Sequence, residues 1–151
     1  MSAAPTFVEP AVHVVRLVDF FEHLTPASVE RMAEFYAPQA RFKDPFNDVQ
    51  GLDAIRSIFD HMFVALESPR FVVVERIVQG NQCFLTWEFR FCFKGFKKSQ
   101  AQVILGGSHL VFSELGLVTL HRDYWDAAQE LYEKLPVVGS LMRWLKRRAN
   151  G

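Results

Sequence analysis

Cysteine, net charge and long apolar runs are all scarce in this 151-residue chain. Seventeen Lys and Arg balance seventeen Asp and Glu, so the net charge is zero. A broad basic field of the kind that binds nucleic acid is therefore excluded. No apolar stretch reaches the roughly 18–20 residues of a membrane span. Met1 to Pro10 lacks the basic start and apolar stretch of a signal peptide. The two cysteines, Cys83 and Cys92, fall on one predicted strand. Extended chain holds them roughly 30 Å apart, so no disulfide between them is expected. Free thiols suit a reducing cytoplasm. No His, Cys and acid set has metal-ligand spacing, and neither a metal nor another cofactor is expected. Gly106-Gly107 lacks the flanking pattern of a phosphate loop. No Ser or Cys stands in a nucleophile motif.

What is present is apolar and aromatic. Hydrophobic residues make up 50% and charged residues 23%, which is the composition of a globular chain. Phe alone occurs 15 times, and those rings need a core, a pocket or a subunit interface. The length suits one domain with one core.

Val14, Leu17, Val18, Phe21 and Leu24 recur at helical spacing. Thr25-Pro26 is a cap followed by proline at the first helical position. The pattern Val29, Met32, Ala33, Tyr36 predicts a second helix that ends before Pro38. Ala40 to Asp44 alternates as a short strand. Gly51 precedes a third helix with Ile55, Phe59, Met62, Phe63 and Leu66 on its buried stripe. Beyond Pro69 the period becomes two. Strands are predicted over 70–79, 82–94, 100–113 and 117–125, with Gly80-Asn81 a hairpin signal. Helices are predicted over 126–135 and 140–148. Three helices followed by a meander of long strands read as α+β, with helices on one face of a curved sheet.

Three words in order, Phe35-Tyr36-Ala37-Pro38 with Phe42-Lys43-Asp44-Pro45-Phe46, Gly51-Leu52-Asp53-Ala54-Ile55, and Gly116-Leu117-Val118 with His121-Arg122-Asp123-Tyr124-Trp125-Asp126, resemble the nuclear transport factor 2-like superfamily. The likeness is to its SnoaL-like and ketosteroid-isomerase-like members. It implies a cone: a curved antiparallel sheet wrapped around three N-terminal helices, with a deep apolar pocket. The division is an arm over 1–10, the domain over 11–127 and a helical extension over 128–151.

Strand alternation puts Thr86, Glu88, Arg90 and Cys92 on one face of the long strand and Trp87, Phe89, Phe91 and Phe93 on the other. In limonene-epoxide hydrolase, which the chain also resembles, the charged residues of this strand enter the pocket. Carried over, Glu88 and Arg90 line the cavity, and the four rings cover the outer sheet face as a homodimer contact. The opposite assignment, with rings in the core and charges in solvent, is the alternative.

The resemblance also implies the site. Asp123 falls on a catalytic aspartate position of the epoxide hydrolase and the SnoaL cyclases. Asp44 falls on the general base of ketosteroid isomerase. The expected acid–base set is Asp44, Glu88, Arg90, His109 and Asp123. The expected substrate wall is Phe20, Phe42, Met62, Leu66, Leu105, His121 and Trp125. Phe20 stands where ketosteroid isomerase has its oxyanion tyrosine, and Ser108 or His109 where it has a second acid. Each residue also has a plainer reading. Asp44-Pro45 is a common turn word, Asp123 and Arg90 make a structural pair, and His109 belongs to a pocket wall.

Carboxylates beside an arginine in an apolar setting suit proton transfer. The expected function is proton abstraction, isomerisation or cyclisation of a small apolar carbonyl-type molecule. The alternative is a non-catalytic carrier of an apolar ligand. The tail carries Leu131, Leu135, Leu141, Met142, Trp144 and Leu145 among Arg143, Lys146, Arg147 and Arg148. Packing on the body is expected, with contact to anionic lipid the lesser reading.

Overall fold

A computed structural model describes residues 10–95, 100–130, 144 and 147–149. Helix α1 (Pro10–Glu22) is followed by a single turn, α2 (Pro26–Val29). Thr25 and Ser28 cap that turn reciprocally, each side chain taking the other's backbone N–H. A 3₁₀ turn, Met32–Glu34, replaces the predicted second helix. Val29 and Met32 are buried, as their spacing requires, but the chain leaves the helix early. The reason is non-local: Tyr36 pairs with Val118, and the Val118 N–H donates to the Phe35 carbonyl at 2.8 Å.

Strand β1 (Tyr36–Lys43) therefore begins before Pro38. Its pairing is interrupted between Tyr36 and Arg41, where a proline without an N–H does no harm. A short β2 (Asp48–Gln50), not foreseen, closes a hairpin with β1. Helix α3 (Leu52–Ala65) runs straight into β3 (Leu66–Gln79), so Leu66 starts a strand rather than ending a helical stripe. Strands β4 (Gln82–Phe93), β5 (Ala101–Phe112) and β6 (Val118–Tyr124) complete one sheet in the order β2-β1-β6-β5-β4-β3. Only the β1–β6 pair is parallel. Register shifts within β3 bend the sheet around the helices. This is the expected α+β cone.

The sidedness of β4 is the reverse of the one expected. Cys83, Leu85, Trp87, Phe89 and Phe91 are all buried on the concave face. Phe71 of β3 stacks on Phe89 at 4.6 Å and meets Trp87 edge-on at 5.6 Å. Glu88 and Arg90 lie on the convex face and pair with each other at 2.6 Å. Their β5 neighbours Leu105 and Val103 are exposed at 57% and 39%. The four rings thus line the interior and are not an outer dimer surface. Each buried ring contributes about 1.5–3 kcal/mol, whereas sinking two charges into the cone would cost several kcal/mol per ion.

The N-terminal arm and most of the C-terminal extension lie outside the described residues. Helix α4 (Ala127–Glu130) begins that extension. Trp144 is exposed, and the Arg148 guanidinium sits 5.1 Å from its ring centre. Among the described residues no helix is long and apolar enough to cross a membrane. Cys83 and Cys92 are both free thiols.

The orientation of β4 has a simple test in urea denaturation. Leu85→Ala is expected to cost about 2–5 kcal/mol. Glu88→Ala is expected to cost under about 1 kcal/mol, as for a partly exposed pair. Equal costs would contradict the assignment.

Candidate functional site

Alternation on β6 turns His121 and Asp123 inward and Arg122 outward. The β5 register sets Ser108 opposite Asp123, and the β4 register sets Leu85 opposite Ser108. Trp87, two residues on from Leu85, then reaches the same spot. Gly106 makes this fit, because a Cβ there would overlap the Trp87 ring. Tyr36, wholly buried at the start of β1, approaches from the neighbouring strand.

These side chains form one hydrogen-bonded chain. The Trp87 indole N–H donates to Ser108 Oγ at 2.8 Å. The Ser108 hydroxyl donates to Asp123 Oδ1 at 2.5 Å. His121 Nε2 donates to the same oxygen at 2.7 Å. The Tyr36 phenol donates to His121 Nδ1 at 2.6 Å. Burial first, and then the Asp123 charge, pushes the Tyr36 phenol well above its ordinary value. The Asp123 carboxylate oxygen can only accept, so the imidazole proton stands on Nε2 facing it; Nδ1 is then the acceptor for the proton that the phenol keeps. His121 is further fixed by Phe42 at 4.7 Å and Phe21 at 5.5 Å.

The network holds Asp123 Oδ1 and leaves Oδ2 without a partner among the described residues. Asp123 stands on the wall of a cavity of about 420 Å³, a size that takes a small organic molecule. The wall is largely aromatic, with Phe42, Phe59, Phe71, Trp87, Phe89 and Trp125 among its residues. A second, much smaller cavity of about 20 Å³ shares Phe59, Phe71, Trp87 and Asp123 with the first and is lined by His121 and Ser108 as well.

Of the expected site residues, Asp44, Asp123, Phe42, Met62, Leu66 and Trp125 do meet around this one cavity. His121 backs Asp123 rather than opening into the main chamber. Asp44 has two positions at once. Its Oδ1 accepts the backbone N–H groups of Phe46 and Asn47 at 2.8 and 2.7 Å, which builds the β1–β2 turn, and the residue also reaches the cavity.

Glu88, Arg90, His109 and Leu105 do not join the site. All four are on the convex face, where His109 pairs with the Gln82 side chain at 2.8 Å. Their placement follows from the reversed sidedness, which β5 inherits from β4 through its register. Phe20 is also elsewhere, stacked on Phe35 at 4.2 Å within the helical core. Tyr36 and Ser108 escaped the sequence reading as site residues. The glycine pair gave no signal of side, since Gly106 admits the inward Trp87 ring and Gly107 equally admits the Phe84 ring on the other face.

Among the described residues no three His, Cys, Asp or Glu side chains converge to hold a metal ion. The SnoaL-like domain family matches residues 17–121. The chain belongs to that family. Its fold is shared by a putative SnoaL-like polyketide cyclase from Jannaschia sp. CCS1, with a TM-score of 0.68 and 18% identity over 85% of this chain and 93% of that one. A hypothetical protein of ketosteroid isomerase-like fold from Catenulispora acidiphila, in complex with trimethylamine, superposes with a TM-score of 0.66 at 12% identity over 79% and 88%. An epoxide hydrolase of M. tuberculosis resembling limonene-epoxide hydrolase gives 0.63 at 12% over 83% and 89%. At these identities the likeness is one of fold. Among curated proteins nothing matches the chain.

The Tyr36 hydrogen bond has an alkaline signature. Folded, the phenol stays protonated beyond pH 10.0, its ordinary value, while the unfolded chain ionises there. This contribution is intact below pH 10 and is lost as pH rises further, at up to about 1.4 kcal/mol per pH unit. Burial also lifts the Cys83 thiol from 9.0 to about 11, a loss of the same sign that starts lower. Tyr36→Phe keeps the Cys83 share and removes its own. Urea midpoints between about pH 9.5 and 11.5 should fall less steeply in the variant. At neutral pH the variant should be weaker by ~1 kcal/mol or more, for the lost bond to His121.

Proposed function

We propose that this SnoaL-like protein performs acid–base chemistry on a small, mostly apolar molecule held in the aromatic cavity, with Asp123 as the proton acceptor. The observation that carries this reading is the asymmetric carboxylate on the cavity wall: Oδ1 is tied by Ser108 and His121, and Oδ2 has no partner among the described residues. Bound to a carbonyl compound, Oδ2 would take a proton from the carbon beside the carbonyl. The C–H electron pair becomes the enolate double bond, and the carbonyl pair moves to oxygen. His121, steadied by Tyr36, keeps Asp123 oriented through the transfer. The Trp125 indole N–H has no partner among the described residues and is the candidate donor to the enolate oxygen. Returning the proton to another carbon completes an isomerisation, and attack of the enolate on a second carbonyl completes a cyclisation.

Binding without turnover is the second reading. It is favoured by one observation: with Arg90 outside, no Lys or Arg lines the cavity among the described residues to neutralise an enolate. Free Cys83 and Cys92 fit a cytoplasmic setting. A second copy of the chain would pack on the convex sheet face around exposed Leu105 and Ile77, not on the ring quartet. Leu105→Glu would then shift the mass measured by light scattering from dimer to monomer.

Protein-catalysed deuterium uptake, followed by NMR for a panel of apolar cyclic ketones in deuterated water, tests the chemistry without a known substrate. Wild-type protein should accelerate exchange beside the carbonyl, and Asp123→Asn should lose about 10²–10⁴-fold of that acceleration. Ketones that bind the wild type but exchange no faster than in buffer would leave the carrier reading standing.

A further inference from the structure

The cavity's charge is one-sided. Asp44 and Asp123 both line it, and neither pairs with a Lys or Arg within the described residues. Other acids do meet cations: Glu88 with Arg90, Asp48 with Arg41, Glu34 with Arg31. Lys43 and Arg122 share a neighbouring groove with Asp44 and Asp123, yet neither forms an ion pair with them. Lys43 reaches Asp48 at 3.9 Å, and the Arg122 guanidinium lies 4.7 Å from the Tyr124 ring centre. Asp44 is balanced by amide dipoles, from Phe46 N–H, Asn47 N–H and the Asn47 side chain. Asp123 is balanced by a hydroxyl and an imidazole N–H. His61, exposed on α3, is a further titratable residue of the wall.

Aromatic faces are negative at their centres and attract cations, most strongly where water is excluded. Phe42, Phe59, Phe71, Trp87, Phe89 and Trp125 supply such surfaces around the two acids. Resting on the acid–base reading of this site, we propose that the ligand is an organic cation: an apolar body bearing an ammonium group. A neutral guest would leave both carboxylates without a countercharge, and an anion would be repelled by both. A cationic substrate also answers the loss of Arg90 from the interior. Its own ammonium charge neutralises the enolate that Asp123 would generate, a service no Lys or Arg of the described wall supplies.

Two probes of matched shape read this directly. Benzyltrimethylammonium and neopentylbenzene differ in one nitrogen for carbon and in one positive charge. Titrated into the full chain, with the Trp indole signals followed by NMR, the cation should bind at least tenfold more tightly. Asp123→Asn and Asp44→Asn should each reduce that preference several-fold, and indole dispersion in both variants reports that the fold is kept. Equal or tighter binding of the neutral probe overturns the inference. So does a preference untouched by both substitutions, and so does a failure of the cation to bind. A cation preference without deuterium exchange on any ketone would remove only the acid–base reading. Exchange on neutral ketones with no cation preference would remove only the ammonium inference.

Discussion

Desolvation decides this molecule. Strand β4 offers two faces, one of rings and one of paired charges, and the cone has a dry side and a wet side. Trp87, Phe89 and Phe91 take the dry side, with Phe71 of β3 stacked on Phe89 and edge-on to Trp87. Glu88 and Arg90, two residues apart on the same face, satisfy each other in partial contact with water. Carrying that pair inside would require desolvating two ions, at a cost of several kcal/mol for each. Once β4 is set, the antiparallel register sets β5, and Ser108 enters while Leu105 and His109 leave.

The polar centre follows from the same constraint. A single carboxylate can face an aromatic cavity because it is not alone: Ser108 and His121 meet Oδ1, and Trp87 and Tyr36 support those two in turn. Each donor in the chain is itself held by packing, so the carboxylate has little freedom to rotate. Such a network gains strength from each bond it completes, and here it fixes Asp123 through Oδ1 while Oδ2 stays open among the described residues. The price of that order is borne by the interior, where Tyr36 and His121 occupy volume that an apolar pair would otherwise fill.

SnoaL-like folds host varied chemistry, so the family alone leaves the reaction open. The distribution of charge narrows it. Acids on the wall, with cations on the rim or the convex face, are what the proposed proton transfer and the proposed cationic guest both rest on. Arg90, which would have favoured an anionic intermediate, stands on the far side of the sheet from Asp123.

Several features were legible in the chain itself. The helical spacing of Val14, Leu17 and Val18, the strand period after Pro69, and the hairpin at Gly80-Asn81 are local properties of backbone and side-chain pattern. The ordered words around Asp44 and Asp123 located both carboxylates of the cavity, because strand ends and turns keep their residues near the cone mouth. Alternation alone separated Glu88 and Arg90 from the rings, but a period of two is symmetric and carries no label for inside. Only the tertiary structure broke that symmetry, by setting the rings against the helices. It also joined Tyr36, His121, Asp123 and Ser108, which lie up to 87 residues apart in the chain, through strand registers that no local signal encodes.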